Sequence, residues 1–67
     1  RKHIPGILIE LKSAKACSLE KLKKLSQAAL QQILEKDYAA EMRNQGINTI
    51  YKYGVAFCGK NVEVSIE

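Results

Sequence analysis

Apolar and polar positions alternate from the first glycine onward. Ile7, Ile9 and Leu11 fall on one face of an extended segment, and Leu8, Glu10 and Lys12 on the other. The segment is rich in branched residues, too short for a helix, and bounded by Gly6 and Ser13, so residues 6–13 read as a strand. The period then changes. Leu19, Leu22, Leu25, Ser26, Ala29, Leu30 and Ile33 recur at spacings of three and four, which predicts a helix. Ser18 is suited to its N-cap, and Glu20 faces the positive end of the helix dipole. No Gly or Pro interrupts Leu19 to Gln45, so the helical region runs over 18–45. A bend is expected near Lys36-Asp37, where the apolar phase weakens, and Gly46 fits the C′ position. Residues 47–58 carry Ile50, Tyr51, Tyr53, Val55 and Phe57 and read as a second strand. Gly54 within it marks a bulge or a close backbone approach. After a turn at Gly59-Lys60-Asn61, Val62, Val64 and Ile66 alternate with polar residues, predicting a strand over 61–67.

These elements give the order β-α-β-β. The last two strands form an antiparallel hairpin, and the helical crossover makes the first two parallel and right-handed. The expected fold is α/β (α+β), one long helix on a three-stranded mixed sheet, after an irregular start over 1–5. The first strand has one wholly apolar face. It is expected to be buried on that side and to present Glu10 and Lys12 to a polar site on the other.

Length sharpens this picture. The chain has 67 residues, one domain or part of one, and folded alone it would bury only roughly 60% of its unfolded surface. Its two cysteines are too few for a disulfide framework and read as reduced thiols in a cytoplasmic protein. Help is expected from an oligomer or from a missing N-terminal part of the same protein, and the absence of a starting Met suggests a fragment. Self-association would run through strand one or the apolar sheet face. No apolar run reaches the ~18 residues of a membrane span. The first residues lack the apolar core of a signal peptide. The net charge of +4 is a mild bias toward anionic partners, with the basic residues spread along the chain.

Candidate chemistry begins at Ile9-Glu10-Leu11-Lys12. Two residues apart on one strand face, Glu10 and Lys12 have Cβ atoms roughly 6–7 Å apart. A carboxylate can ligate Mg²⁺, and an adjacent lysine can orient water or stabilise phosphate charge. An ordinary surface Glu-Lys pair fits the same pattern. Gln32 and Lys36 lie one helical turn apart beside the apolar stripe, placed either to reach a site on strand one or to face solvent. His3, near the terminus, has no metal-binding or basic role. Cys17 has no histidine partner for nucleophilic catalysis, and Cys58 reads as packed. Lys21, Lys23 and Lys24 read as a solvated face, and Tyr51 and Tyr53 as packing residues.

Three segments in order carry a resemblance: Ile9-Glu10-Leu11-Lys12, the helix end from Ala28 through Gln32, Lys36 and Tyr38 to Ala39, and Ile50 to Lys60. They resemble the C-terminal part of the PD-(D/E)XK nuclease superfamily, in the bacterial branch where such a domain follows an AAA-ATPase-like domain. The resemblance spans about Gly6 to Val64. It implies a partial restriction-endonuclease-like core. It also implies that Glu10 is the acidic metal ligand, Lys12 the catalytic lysine and the Leu11 backbone carbonyl a further ligand. Gln32, Lys36 and Tyr38 would support the site. The implied activity is Mg²⁺-dependent phosphodiester hydrolysis in DNA.

One part of the signature is missing. The superfamily's first acidic residue comes from a preceding strand, whereas residues 1–9 contain no Asp or Glu, and the only Asp, Asp37, lies in the helix. The chain is therefore expected to hold half of a metal site and to be inactive alone. The alternative is a non-enzymatic module for oligomerisation or for binding anions or nucleic acid.

Overall fold

A computed structural model describes residues 4–67; His3 and the first part of the irregular start lie outside the described residues. Strand β1 spans Gly6–Ala14, helix α1 Leu19–Lys36, helix α2 Ala39–Asn44, strand β2 Ile50–Cys58 and strand β3 Asn61–Ile66. The sheet order is β1-β2-β3, with β1 and β2 parallel and β2 and β3 antiparallel. This is the mixed three-stranded sheet with a helix packed on it that the periodicity predicts.

The local signals explain the boundaries. The Ser18 side chain accepts a hydrogen bond from the Lys21 N–H at 3.2 Å, closing the start of α1. Asp37 adopts the left-handed region, φ 51° and ψ 43°, and its N–H bonds back to the Ile33 carbonyl. The helical run therefore breaks into two helices there. α2 ends in a Schellman arrangement: Gly46, at φ 91°, donates to Arg43, and Ile47 donates to Met42. Because Ile47 is engaged in that cap, the second strand starts at Ile50 rather than at 47.

Helix α1 packs across all three strands. Leu22, Ser26, Ala29 and Ile33 are its buried residues, while Leu19 projects into solvent. The helix sits closest over Gly54, where an added Cβ would strike the Ser26 carbonyl and the Leu30 backbone. The registers of β1 and β3 against β2 run unbroken through Gly54, so this glycine serves close approach and not a bulge. Beside it, the fully buried Ser26 hydroxyl donates to the Lys23 carbonyl at 2.8 Å and shares a 2.7 Å hydrogen bond with the Ser65 hydroxyl on β3. Removing one partner strands the other, so Ser26→Ala should lower stability by about 1–2 kcal/mol. Urea melts of Ser26→Ala, Ser65→Ala and the double variant test this. Additive losses would show that the two hydroxyls are not coupled.

The helix covers the less apolar side of the sheet. Beneath it lie Gly54, Ala56 and Cys58 of β2, flanked by Leu8, Glu10 and Lys12 of β1 and by Glu63 and Ser65 of β3. The opposite face carries Ile7, Ile9 and Leu11 beside Tyr51, Tyr53, Val55 and Phe57, and then Val62, Val64 and Ile66. Ile7, Ile9 and Leu11 are 54%, 56% and 61% exposed, which corrects the expectation that this face of the first strand is buried. The single helical layer falls on the other side because only there does the sheet offer Gly54 and Ala56 to a close-packed backbone. The molecule measures 41 × 21 × 15 Å, a plate two layers thick.

Candidate active site

The site is built on β1, an edge strand. Gly6 N–H bonds to the Thr49 carbonyl, so the even-numbered residues of β1 turn their backbone groups toward β2. By alternation, the Leu11 carbonyl points to the open edge, outside the ladder. The Glu10 and Lys12 side chains lie on the helix side, both half-buried. In register, Glu10 is opposite Gly54 and Lys12 opposite Ala56. The glycine that admits α1 is thus the immediate neighbour of the candidate ligand. The Glu10 carboxylate and the Leu11 carbonyl, both hard donors, are thus adjacent along one edge strand.

Helix geometry fixes which flank faces this strand. Ser26 reaches β3, on one side of β2. Six residues on, about 240° around the helix axis, Gln32 lies on the other flank, toward β1. Leu25 and Lys36 share that flank. From the Gly54 contact, Gln32 is about 6 Å further along α1, or roughly two strand residues toward the start of β1. Its Oε1 is buried and has no hydrogen-bond partner. Buried acceptors without a donor are uncommon, and one beside a candidate site is a place for a ligand or an ordered water.

The other sequence-derived residues are more dispersed. Lys36 is in the last turn of α1 and exposed. Tyr38 precedes α2 and is 43% exposed. Lys21, Lys23 and Lys24 are exposed. Asp37 forms an ion pair with Arg43 at 3.6 Å on the surface. Among the described residues no three His, Cys, Asp or Glu side chains gather as a metal site.

The structure adds one cation that the sequence reading passed over. Lys52 pairs in register with Leu8 and shares its face, and its Nζ lies 3.3 Å from the Glu67 carboxylate. The alternation of β2, which sets Lys52 on the face opposite Tyr51 and Tyr53, is the sequence signal for it. Glu67 holds the ammonium on the β3 side, so Lys52 supplies positive charge to the sheet surface without occupying the β1 edge.

No helix among the described residues is long and apolar enough to cross a membrane. Neither a curated protein nor a solved structure matches the chain. A family model described as the PD-(D/E)XK nuclease superfamily matches residues 3–67. That span takes in Glu10, Lys12, Gln32 and the whole sheet, and the chain belongs to the PD-(D/E)XK nuclease superfamily.

Proposed function

We propose that this chain carries part of the active site of a Mg²⁺-dependent DNA nuclease, with Glu10 and Lys12 as its catalytic pair. The observation that carries the reading is the register that sets Glu10 and Lys12 on one face of the edge strand β1, in a chain that the superfamily model matches over residues 3–67. The donor set suits Mg²⁺, which takes oxygen ligands and keeps waters and substrate phosphates in its shell. Glu10 and the Leu11 carbonyl would hold the ion, which when bound would polarise the phosphate and activate water. Lys12, one pleat further along the same face, is placed to donate hydrogen bonds to a phosphate oxygen or to steer the attacking water. Gln32 would accept from a water in that shell. Lys36 and Tyr38 would shape the far end of the groove. The branch we propose, on resemblance alone, is the one in which this domain follows an AAA-ATPase-like domain.

One carboxylate makes a weak Mg²⁺ site, and the second acidic ligand would come from outside this chain. On this reading the chain is a partial domain that is inactive alone, in a cytoplasmic protein whose Cys17 and Cys58 are free thiols. The test is DNA cleavage by the protein that carries this chain, with Mg²⁺ and with chelator. Chelator-sensitive cleavage that Glu10→Ala removes supports the reading. Absence of cleavage with either Mg²⁺ or Mn²⁺ would overturn it.

A second reading rests on the bare sheet face. We propose that a second copy of the chain covers it. Eight of its side chains are between 38% and 65% exposed. They present roughly 700 Å² of apolar surface, more than a monomer normally shows and close to the ~800 Å² per partner of a standard interface. The face carries no charge, so two copies can pack sheet on sheet about a twofold axis. Sedimentation equilibrium should give a dimer, and Leu11→Glu should return it to a folded monomer. A wild-type chain that sediments as a folded monomer at micromolar concentration rules this out.

A further inference from the structure

The two cysteines are 41 residues apart in sequence and adjacent in space. Cys17 sits in the connection between β1 and α1, and Cys58 ends β2, opposite Ala14 in the parallel ladder. The Cys58 thiol donates to the Cys17 carbonyl oxygen at 3.9 Å. The Cys17 side chain packs against the cluster formed by Leu22, Ala56 and Cys58. Both thiols are free. Cys17 is partly open to solvent, whereas Cys58 is only 6% exposed.

We infer that Cys17 and Cys58 are a thiol-oxidation site, closed to an intramolecular disulfide by exchange with a low-molecular-weight disulfide such as glutathione disulfide. The exposures set the order of attack. The Cys17 thiolate attacks one sulfur of the small disulfide, forming a mixed disulfide and releasing one thiolate. Cys58 then loses its proton and attacks the Cys17 sulfur, expelling the second thiolate. The protein gives up two protons and two electrons, and the small disulfide becomes two thiols. The reverse exchange with excess small thiol restores both cysteines, so the site is reversible. The bond would tie the β1–α1 connection to the end of β2, one pleat beyond Lys12 and Ala56.

The surroundings set the pace of the first step. The hydrogen bond to the Cys58 thiol, with burial, raises the Cys17 thiol above its ordinary value, and the Lys21 ammonium pulls it the other way. Cys17 is thus mainly protonated at neutral pH and reacts slowly. Proximity of the second thiol then favours closure over accumulation of the mixed disulfide. This inference is independent of the nuclease reading, because its readouts are mass and melting temperature and not cleavage.

The test is incubation of the folded chain with excess glutathione disulfide at neutral pH, followed by intact-mass analysis and peptide mapping. The expected product has lost two hydrogen atoms, links the Cys17 and Cys58 peptides within one chain, and melts roughly 10 °C higher than the reduced form. Cys17→Ser, a change at a partly exposed connection, should stay at its reduced mass because Cys58 is shielded. Glutathione retained on both cysteines, a link between two copies, no change in mass, or an oxidised form that melts no higher than the reduced one would each overturn the inference.

Discussion

Gly54→Ala is expected to unfold most of the protein at room temperature. The added methyl group would meet the Ser26 carbonyl oxygen and the Leu30 amide nitrogen, with the Leu30 Cα at 2.9 Å. All three are backbone atoms of one helix, so no rotamer change relieves the clash. The helix must lift as a body. Lifting opens the contacts of Leu22, Ala29 and Ile33, and it stretches the hydrogen bond between the Ser26 and Ser65 hydroxyls. Overpacking of a tight core costs about 1–3 kcal/mol, and rigid backbone neighbours put this site at or above the upper value. A domain of this size has little more stability than that to lose. Gly6→Ala is the control. Its methyl would meet the Met42 Sδ at 2.7 Å and the Ile47 Cγ2 at 3.1 Å. The thioether can swing aside, so the loss should stay near 1 kcal/mol. Urea melts followed by circular dichroism separate the two. Equal losses at Gly54 and Gly6 would mean that the helix is not seated on the Gly54 backbone.

In the protein that carries this chain, the proposed roles predict that Glu10→Ala and Lys12→Ala lower DNA cleavage by on the order of 10²-fold or more while leaving the fold intact. Both side chains are half-exposed and neither forms an ion pair among the described residues, so stability should barely change. The two variants should fail differently. Glu10→Ala would remove the proposed charged ligand, so Mg²⁺ affinity should fall and added metal should recover part of the activity. Lys12→Ala leaves the oxygen ligands in place, so metal affinity is kept and turnover is lost at every Mg²⁺ concentration. Gln32→Ala offers a finer probe. It removes a buried acceptor that has no donor, so it should cost activity without costing stability. Cleavage by Lys12→Ala at the wild-type rate would remove lysine from the proposed mechanism.

Much of this architecture is legible in the chain because its signals are local. The Ser18 cap, the stripe of Leu22, Ser26, Ala29 and Ile33, and the Schellman glycine Gly46 act within a few residues of themselves. The alternation through Glu10 and Lys12 likewise sets both on one face wherever the strand lies. The left-handed turn at Asp37 was marked only by a weakening apolar phase, and its dihedral angles could not be read from it. The candidate site is half legible for the same reason. Glu10 and Lys12 come as a local pair, whereas the placement of Gln32 against β1 depends on which flank of α1 meets which strand.

The sequence by itself determined the order of strands and helix, the parallel crossover and the placing of Glu10 with Lys12 on one face, and it marked Gly54 as either a bulge or a close approach. These follow from side-chain period, caps and the missing Cβ of one glycine. Only the tertiary structure decided which face of the sheet the helix covers, because both faces of β1 carry apolar residues and alternation cannot rank them. It placed the helix over Gly54, Ala56 and Cys58, which left Ile7, Ile9 and Leu11 bare and put Glu10 and Lys12 beside the helix. It also brought Cys17 to Cys58 and Ser26 to Ser65, contacts that span 41 and 39 residues. No local pattern encodes such pairs; they arise when the crossover closes and the helix settles onto the sheet.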